Sequence, residues 1–187
     1  MNSLIDHLER HLGHIECGWK DSDGTVWPFQ VLRFSGGPIA NTVTYCTLGL
    51  SDTPLPSAVS AKQIRHELLV MVRPELRDRN IPAILHQVGT EAIRAGRPYL
   101  RGEVIGPRGT LIAGSRMEAL YVSAPVYLPD SFATCASADG TSRVIAWLVP
   151  IAADEAEFVK INGWERFEER LVSLDPDLLD LTRGSIV

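Results

Sequence analysis

The sequence predicts an α+β fold in which helices pack against a mixed, mainly antiparallel sheet. Segments with strand character outnumber helical segments and do not alternate with them regularly, which argues against a doubly wound α/β fold. Residues 144–151 are apolar without a break up to Val149, and such a run is typical of a strand buried on both faces. We expect this strand to lie in the middle of the sheet. Pro150 should end it, because proline has no N–H to donate to a ladder.

The length and net charge of the chain limit the number of domains and the kinds of partner to expect. A chain of 187 residues is long enough for one domain, predicted here over residues 1–187, and can bury roughly 70% of its unfolded surface. The net charge is −5 and only three residues are lysines. Nucleic-acid binding is therefore not expected, because it needs a basic surface. A mildly acidic surface could instead meet a basic protein partner.

The N-terminus and the cysteines predict the cellular compartment of the protein. The N-terminus lacks the basic and long apolar regions of a signal peptide. No apolar run approaches the ~18 residues of a membrane helix. The three cysteines (Cys17, Cys46 and Cys135) form no C-x-x-C motif. We expect buried free thiols in a cytoplasmic protein that does not bind membranes.

The N-terminal quarter predicts a helix, a turn and two strands. Asn2 or Ser3 can cap a helix that Gly13 ends, and five apolar residues share one helical face: Leu4, Ile5, Leu8, Leu12 and Ile15. Residues 18–24 have the composition of a turn, so residues 1–24 are predicted as helix and turn. Residues 25–34 and 42–50 then suggest an antiparallel pair of strands.

The middle of the chain predicts a loop, two strands and a helix. Residues 51–60 form the loop, because two prolines keep it out of regular structure. Residues 65–73 and 118–122 are strands, and residues 80–96 are a helix capped by Asn80. Asp139-Gly140 predicts a hairpin turn that leads into the central strand.

The C-terminal part predicts two helical segments. The first starts at Asp154, where Asp154 and Glu157 make an acidic variant of the capping box. Asn162-Gly163 should break it, and Trp164, Phe167 and Leu171 give the second segment an apolar face. Residues 174–180 suggest one further helical turn that packs on the body.

A histidine cluster on the first helix is a candidate metal site. His7, His11 and His14 follow i, i+4, i+7 spacing, and Cys17 comes just after them. Imidazole and thiolate ligands on one stripe could hold zinc or nickel. The stripe flanks the apolar face and does not interrupt it. We favour solvated histidines, and a metal-dependent enzyme remains the alternative.

His66 and Glu67 could supply a base or an acid. Because they are neighbours at the start of a strand, their side chains should point to opposite faces. We expect Glu67 to pair with an arginine in a structural role. The sequence contains no nucleophile elbow, no Walker loop and no dinucleotide-binding glycine motif, and no cofactor is predicted.

The proline-rich loop is the candidate partner-binding element. A long loop of this kind is more often a binding element than filler. The candidate contact residues are Leu50, Ser51, Asp52, Leu55 and Val59.

Two segments in the first half carry a resemblance to a known family. Residues 47–52 read Thr-Leu-Gly-Leu-Ser-Asp, and Arg65, Glu67 and Leu68 begin the following strand. These segments resemble the T-x-G-[ML]-S segment and the E-L strand of the suppressor of fused domain, in its bacterial stand-alone form.

Three later segments resemble the same family in the same order. Residues 124–129 resemble its P-P-x-x-L-P segment. Residues 147–151, with Glu155 and Phe158, resemble its P-I-x-x-x-E-x-x-F strand-to-helix signature. Residues 175–180 with Arg183 resemble its tail. The resemblance spans about residues 31–183 and implies a suppressor-of-fused-like fold.

Departures from the pattern place the chain in a divergent subgroup. Residues 26–31 lack the histidine and acid often found in the first strand of the family. Leu50 replaces the usual methionine, and Ala124 replaces the first proline of the P-P pair. Roles tied to these positions are therefore not transferred to this chain.

The resemblance implies protein binding without catalysis. The eukaryotic relative is a two-lobed regulator that clamps a peptide of a zinc-finger transcription factor by strand addition. Stand-alone bacterial members have been proposed as immunity proteins. We therefore expect a non-catalytic module that binds another protein, and the candidate partner is a cognate toxin encoded nearby. A structural, self-associating domain is a further alternative, and the sequence predicts no particular oligomeric state.

Overall fold

The computed structural model describes residues 3–22, 24–136 and 140–187. Within them the helices are α1 (Leu4–Leu12), α2 (Ile81–Ala95), α3 (Ala153–Asn162) and α4 (Trp164–Leu174). The strands are β1 (Gly13–Ser22), β2 (Thr25–Gly36), β3 (Val43–Leu48), β4 (Leu55–Pro56), β5 (Gln63–Val72), β6 (Val104–Ile105), β7 (Ala119–Ser123), β8 (Thr134–Ala136) and β9 (Ser142–Ile151). Short 3-10 turns cover Leu50–Asp52, Pro74–Leu76 and Asp130–Phe132.

The strands form one sheet in the order β1-β2-β3-β5-β9-β7-β6, with β4 paired to β5 and β8 paired to β9. Only the β5–β9 pair is parallel among the described strands, and every other pair is antiparallel. The predicted fold class, an α+β fold with a mixed, mainly antiparallel sheet, is confirmed.

Helices cover both faces of this sheet. On one face, α1, α3 and α4 contribute Leu8, Val159 and Phe167 to a core that includes Trp147. On the other face, α2 contributes Ile81, Leu85 and Val88 to a second core. The sheet is therefore the middle layer, and its central strands are shielded from water on both sides.

The central strand predicted for residues 144–151 is β9, which lies in the interior of the sheet between β5 and β7. Trp147 and Val149 belong to the core on one face, and Ala146 and Leu148 to the core on the other. The prediction that Pro150 ends the strand is wrong, because β9 continues to Ile151 and Pro150 pairs with Leu120. The β5 ladder already stops at Trp147, so Pro150 lies where β9 has only one paired neighbour and the missing N–H is tolerated.

The N-terminal segment differs from the prediction. Ser3 caps α1, because its Oγ accepts a hydrogen bond from Asp6 N (3.1 Å), whereas Asn2 lies outside the described residues. The helix ends at Leu12, so Ile15 lies in β1. The turn predicted for residues 18–24 is wrong over its first part, because β1 extends to Ser22; Asp23 is outside the described residues. Two register shifts in the β1–β2 ladder accommodate this polar sequence at the sheet edge.

Most later elements lie where the sequence places them. Strands β2 and β3 pair antiparallel, and β5, α2 and β7 occupy the predicted segments within two or three residues. Gly163 separates α3 from α4 as expected. β8 and β9 pair antiparallel, but the predicted Asp139-Gly140 turn falls partly outside the described residues, because Asp139 is not among them.

Four local predictions need correction. The proline-rich loop is not wholly irregular, because Leu55 and Pro56 pair with β5. Asn80 occupies the N-cap position of α2 as predicted, but its side-chain amide donates to Leu111 O (3.1 Å) and makes no capping hydrogen bond. At the start of α3 the acidic group that reaches back is Glu155 and not Glu157, because Glu155 Oε2 accepts from Ala152 N (2.8 Å). The further helical turn predicted for residues 174–180 is absent, because Leu174 ends α4 and residues 175–180 are irregular apart from a turn at Leu178 and Leu179.

Within the described residues, none of the helices has the length and apolar character needed to cross a membrane.

Candidate functional site

A buried carboxylate, Glu67, organises the start of the proline-rich loop. Its Oε1 accepts hydrogen bonds from Ser51 Oγ (2.7 Å), Gly49 N (3.0 Å) and Ser51 N (3.2 Å), and its Oε2 accepts one from Thr47 Oγ1. Burial raises the pKa of Glu67, and these four hydrogen bonds oppose the shift. Glu67 therefore holds the chain reversal after β3 against β5.

Two arginines extend this network toward the surface. Arg143 Nε donates to Ser51 Oγ (3.1 Å), and Arg65 donates to the carbonyl oxygens of Ser51 (2.9 Å) and Asp52 (3.0 Å). The expected arginine partner of Glu67 is replaced by hydroxyl and backbone N–H groups. Ser51 lies between Glu67 and Arg143, and it links the two residues without a direct ion pair.

The five predicted contact residues of the loop divide into two groups. Leu50, Ser51 and Leu55 are buried, and they hold the loop on the sheet. Asp52 and Val59 are exposed, with Val59 at 79%. A partner that met the loop in this conformation would contact only these last two residues, and the binding role of the loop stays a prediction.

His66 is the neighbour of Glu67 in the sequence, but its side chain lies in a different environment. Alternation along β5 places it on the side of Leu68, in the core covered by α2. It is buried, and neither ring nitrogen has a hydrogen-bond partner within the described residues. Burial lowers the pKa of His66 to about 4, so the ring is neutral at pH 7.

The histidine stripe predicted for α1 is divided by the end of the helix. His7 is buried, its Nε2 lies 3.0 Å from Phe132 O, and its ring stacks on Phe132. His11 Nδ1 lies 2.9 Å from His7 O. His14 lies beyond the helix in β1, where its Nε2 is 3.3 Å from Ser35 Oγ. No three His, Cys, Asp or Glu side chains in the described ranges are grouped to hold a metal ion.

The three cysteines are free thiols, and they differ in exposure. Cys46 and Cys135 are buried, and burial raises the pKa of each thiol. Cys17 is partly exposed on the edge strand β1, so the expectation of a buried thiol is wrong at this position.

A second buried carboxylate, Glu155, fixes the C-terminus. Arg183 forms a two-pronged ion pair with it, at 2.6 Å and 3.0 Å. Ile186 N also donates to Glu155 Oε1 (3.2 Å). Both residues belong to segments that carry the family resemblance, so the pair explains in physical terms why an acid after the central strand accompanies an arginine in the tail.

An apolar groove of about 210 Å³ lies beside α4. We call it the α4 groove. Its floor is Trp147 and Val149, one wall is Leu171 and Val172 of α4, and the other wall is Val126 and Tyr127. Val172 is 83% exposed and Val126 is 63% exposed, so the walls extend into solvent while the floor is part of the core.

Carboxylates line this groove and an adjoining cleft. Glu168 and Asp175 line the groove, and Glu165 and Glu169 line the cleft, which shares Arg101, Glu168 and Val172 with the groove. Glu168 is neutralised by Arg101 (Nη2–Oε2, 2.5 Å). Glu165, Glu169 and Asp175 are exposed, and none of them has an ion-pair partner within the described ranges. The rim therefore carries an excess of negative charge.

The α4 groove is not among the features that the sequence predicts. The core position of Trp147 is predicted correctly, but the floor of the groove depends on how α4 and residues 124–129 meet over β9. One signal was available, because Val172 follows Leu171 directly and so lies off the buried face of α4.

A family comparison accounts for these features together. The family model described as suppressor of fused protein (SUFU) matches residues 26–184, which confirms the resemblance predicted for about residues 31–183. A search of curated proteins found no match.

Solved structures show the same fold. A SUFU homologue from Neisseria gonorrhoeae aligns with a TM-score of 0.74 and 18% identity, over 97% of this chain and 93% of that chain. A chain of the Sufu–Fu complex aligns with a TM-score of 0.70 and 14% identity, over 98% and 90%. Drosophila Suppressor of Fused aligns with a TM-score of 0.61 and 13% identity, over 87% of this chain but 44% of that larger chain.

The family match covers most of the sequence, and the segments that carry it build the two buried carboxylate networks and the central strand. The chain belongs to the suppressor of fused family.

Proposed function

We propose that this chain is a non-catalytic protein-binding module that acts in the cytoplasm as an immunity protein and neutralises a partner toxin. The observation that carries the proposal is the family match over residues 26–184. The sequence resemblance to stand-alone bacterial members supports the immunity role specifically.

The buried ionisable groups support a binding role over a catalytic one. Glu67 and Glu155 would be the strongest candidates for general bases, but both are fully buried. Each uses both carboxylate oxygens to hold a neighbouring segment. A general base must instead reach the proton that it abstracts.

The relatives and the surface charge support a protein as the partner. A chain with this fold occurs in a complex of Sufu with Fu, and 98% of the present chain aligns with it. The net charge of −5 favours association with a basic protein and disfavours nucleic acid.

The immunity role is tested with the proteins encoded beside this gene. Each neighbour is expressed alone and then together with the chain, and the chain is used as bait through an N-terminal tag, because the C-terminus is held by Glu155. We expect one neighbour to arrest growth alone, and the chain to restore growth and recover that neighbour in a stoichiometric complex.

Two other outcomes separate the parts of the proposal. A neighbour that binds the chain but does not impair growth would leave the binding module standing and reject the immunity role. If repeated captures recover no neighbour, the immunity role is also rejected. Concentration-dependent sedimentation of the chain alone would instead favour a self-associating structural domain.

A further inference from the structure

We propose that the α4 groove is the docking site for a segment of a partner protein that carries a bulky apolar side chain flanked by lysine or arginine. This inference rests on the proposed function only in taking a protein as the partner. The contact surface proposed here lies at the opposite end of the central strand from the predicted proline-rich loop.

The first support is the apolar lining of the groove. Val126 and Val172 both line the groove with most of their surface in water, and the buried Trp147 and Val149 form its floor. Continuous apolar surface of this kind on a folded protein marks interaction sites. The groove is large enough for one bulky side chain, such as leucine or phenylalanine.

The second support is the charge of the rim. Glu165, Glu169 and Asp175 project from α4 and its C-terminal end without a cationic partner in the part of the chain that the structure describes. Among the described residues that line the groove, the single cation is Arg101, and it is already paired with Glu168. The groove is therefore complementary to a segment with cations on either side of its apolar anchor.

The third support is an unused hydrogen-bond donor at the floor. The indole Nε1 of Trp147 is buried and has no partner among the described residues. The ring of Tyr127 contacts this indole, and within the described ranges the hydroxyl of Tyr127 makes two long hydrogen bonds of 3.4 Å, donating to Pro176 O and accepting from Leu178 N. A docked segment that displaces Tyr127 can offer a backbone carbonyl to Nε1, which satisfies a donor that is otherwise costly to bury.

The charge argues against a second copy of this chain as the occupant. Two copies joined through this face would place two acidic rims together, and the chain as a whole carries −5. Like charges brought together at an interface oppose association. A basic segment of a different protein removes this repulsion.

The test uses a displayed library of random 12-residue peptides, selected against the full chain. The selected peptides are then titrated against the wild type and three variants, each with an exposed valine replaced by lysine. Val172→Lys alters the groove, Val59→Lys alters the proline-rich loop, and Val26→Lys alters a distant site at the start of β2. The three valines are similarly exposed, at 83%, 79% and 77%, so all three variants should fold, and their unfolding curves verify this.

We expect the selected peptides to carry an apolar residue flanked by lysine or arginine. Val172→Lys should weaken their binding at least 10-fold, while Val59→Lys and Val26→Lys should leave it within 2-fold. Raising the salt concentration should weaken the binding of the wild type. In a separate variant, the charge reversal Glu165→Lys should also weaken the binding of the selected peptides, and it should not affect folding.

Several results would overturn the docking site. These are a library that yields no binder, binders without basic residues, and binders that Val172→Lys does not affect. A dimer of the wild type that Val172→Lys dissociates would make a second copy the occupant and would also overturn it. The docking site and the proposed function can fail independently. If wild type and Val172→Lys bind a toxin equally well, the groove alone is rejected. If peptides bind the groove but the chain neutralises no neighbour, the immunity role alone is rejected.

Discussion

The ring of Tyr127 lies against the indole of Trp147, with the ring centroids 5.0 Å apart and the planes inclined at 51°. The hydroxyl of Tyr127 contacts the tail at Pro176 and Leu178. Three segments that resemble the family, namely the central strand, residues 124–129 and the tail, therefore meet at one point. They meet beside the α4 groove. The residues that carry the family resemblance therefore support the groove but do not form it by themselves.

Replacing Trp147 with alanine should lower the free energy of unfolding by about 3–5 kcal/mol, because it empties a fully buried position in the core. Denaturant titration measures the loss. Trp164→Ala is the control, because Trp164 is 37% exposed and its removal should cost about 1 kcal/mol. A loss under about 1 kcal/mol for Trp147→Ala would mean that β9 is not the central strand.

Ser51→Ala should lower the free energy of unfolding by about 1–3 kcal/mol. The change removes the hydroxyl that donates to Glu67 and accepts from Arg143, and it leaves both charged groups with one hydrogen bond fewer. Thermal or denaturant unfolding measures the effect. Ser60→Ala, at an exposed position, should change the free energy by less than about 0.5 kcal/mol. Equal effects of the two substitutions would show that the network around Glu67 does not stabilise the loop.

Arg183→Met should lower the free energy of unfolding by about 3–5 kcal/mol, because it leaves the buried carboxylate of Glu155 without its cation. The double variant Glu155→Met, Arg183→Met should recover part of this loss, since no unpaired charge then remains. The exposed Arg166→Met serves as the control. A double variant no more stable than Arg183→Met would argue that lost packing, and not the unpaired charge, causes the effect.

The stability of the fold should decrease in acid because of His66. The unfolded chain binds a proton at this ring near the ordinary pKa of 6.5, and the folded chain binds it only near a pKa of about 4. The contribution of the neutral ring is therefore complete above about pH 6.5 and is lost progressively as the pH falls toward 4. The gap corresponds to about 3 kcal/mol.

The variant His66→Leu isolates this effect. Its free energy of unfolding should fall by about 2–3 kcal/mol less than that of the wild type between pH 7 and pH 4.5. The raised pKa of Glu67 acts in the opposite direction, because it favours the folded state at low pH. Both proteins contain Glu67, so its effect cancels in the comparison. Parallel curves of stability against pH for the two proteins would contradict the assignment.

The sequence predicts the fold well where hydrophobic pattern decides structure. The unbroken apolar run of β9 and the 3.6-residue period of α2 both lead to the correct elements, because burial on two faces or on one stripe leaves a direct trace in the order of residues. The errors occur where the structure of a segment depends on the strands that lie next to it in the sheet. Pro150 remains in a strand because β5 no longer pairs there, and β1 is a strand because β2 offers an edge to turn-like residues.

The candidate site is less predictable than the fold for a related reason. Leu50 and Leu55 look like contact residues in a proline-rich loop, but the sequence does not show that Glu67 holds this loop on the sheet through Ser51. The α4 groove joins residues from positions 101 to 178, and its shape exists only after the strands and α4 have packed. Such long-range relations leave no local pattern in the sequence.

The most direct measurement is a calorimetric titration of the neighbour-encoded partner into the wild-type chain and into Val172→Lys. We expect a stoichiometric complex with a dissociation constant below about 1 µM for the wild type and clearly weaker binding for Val172→Lys. The immunity role would be contradicted if none of the neighbour-encoded proteins bound the folded wild-type chain, and the α4 groove would be contradicted if Val172→Lys bound the partner as tightly as the wild type does.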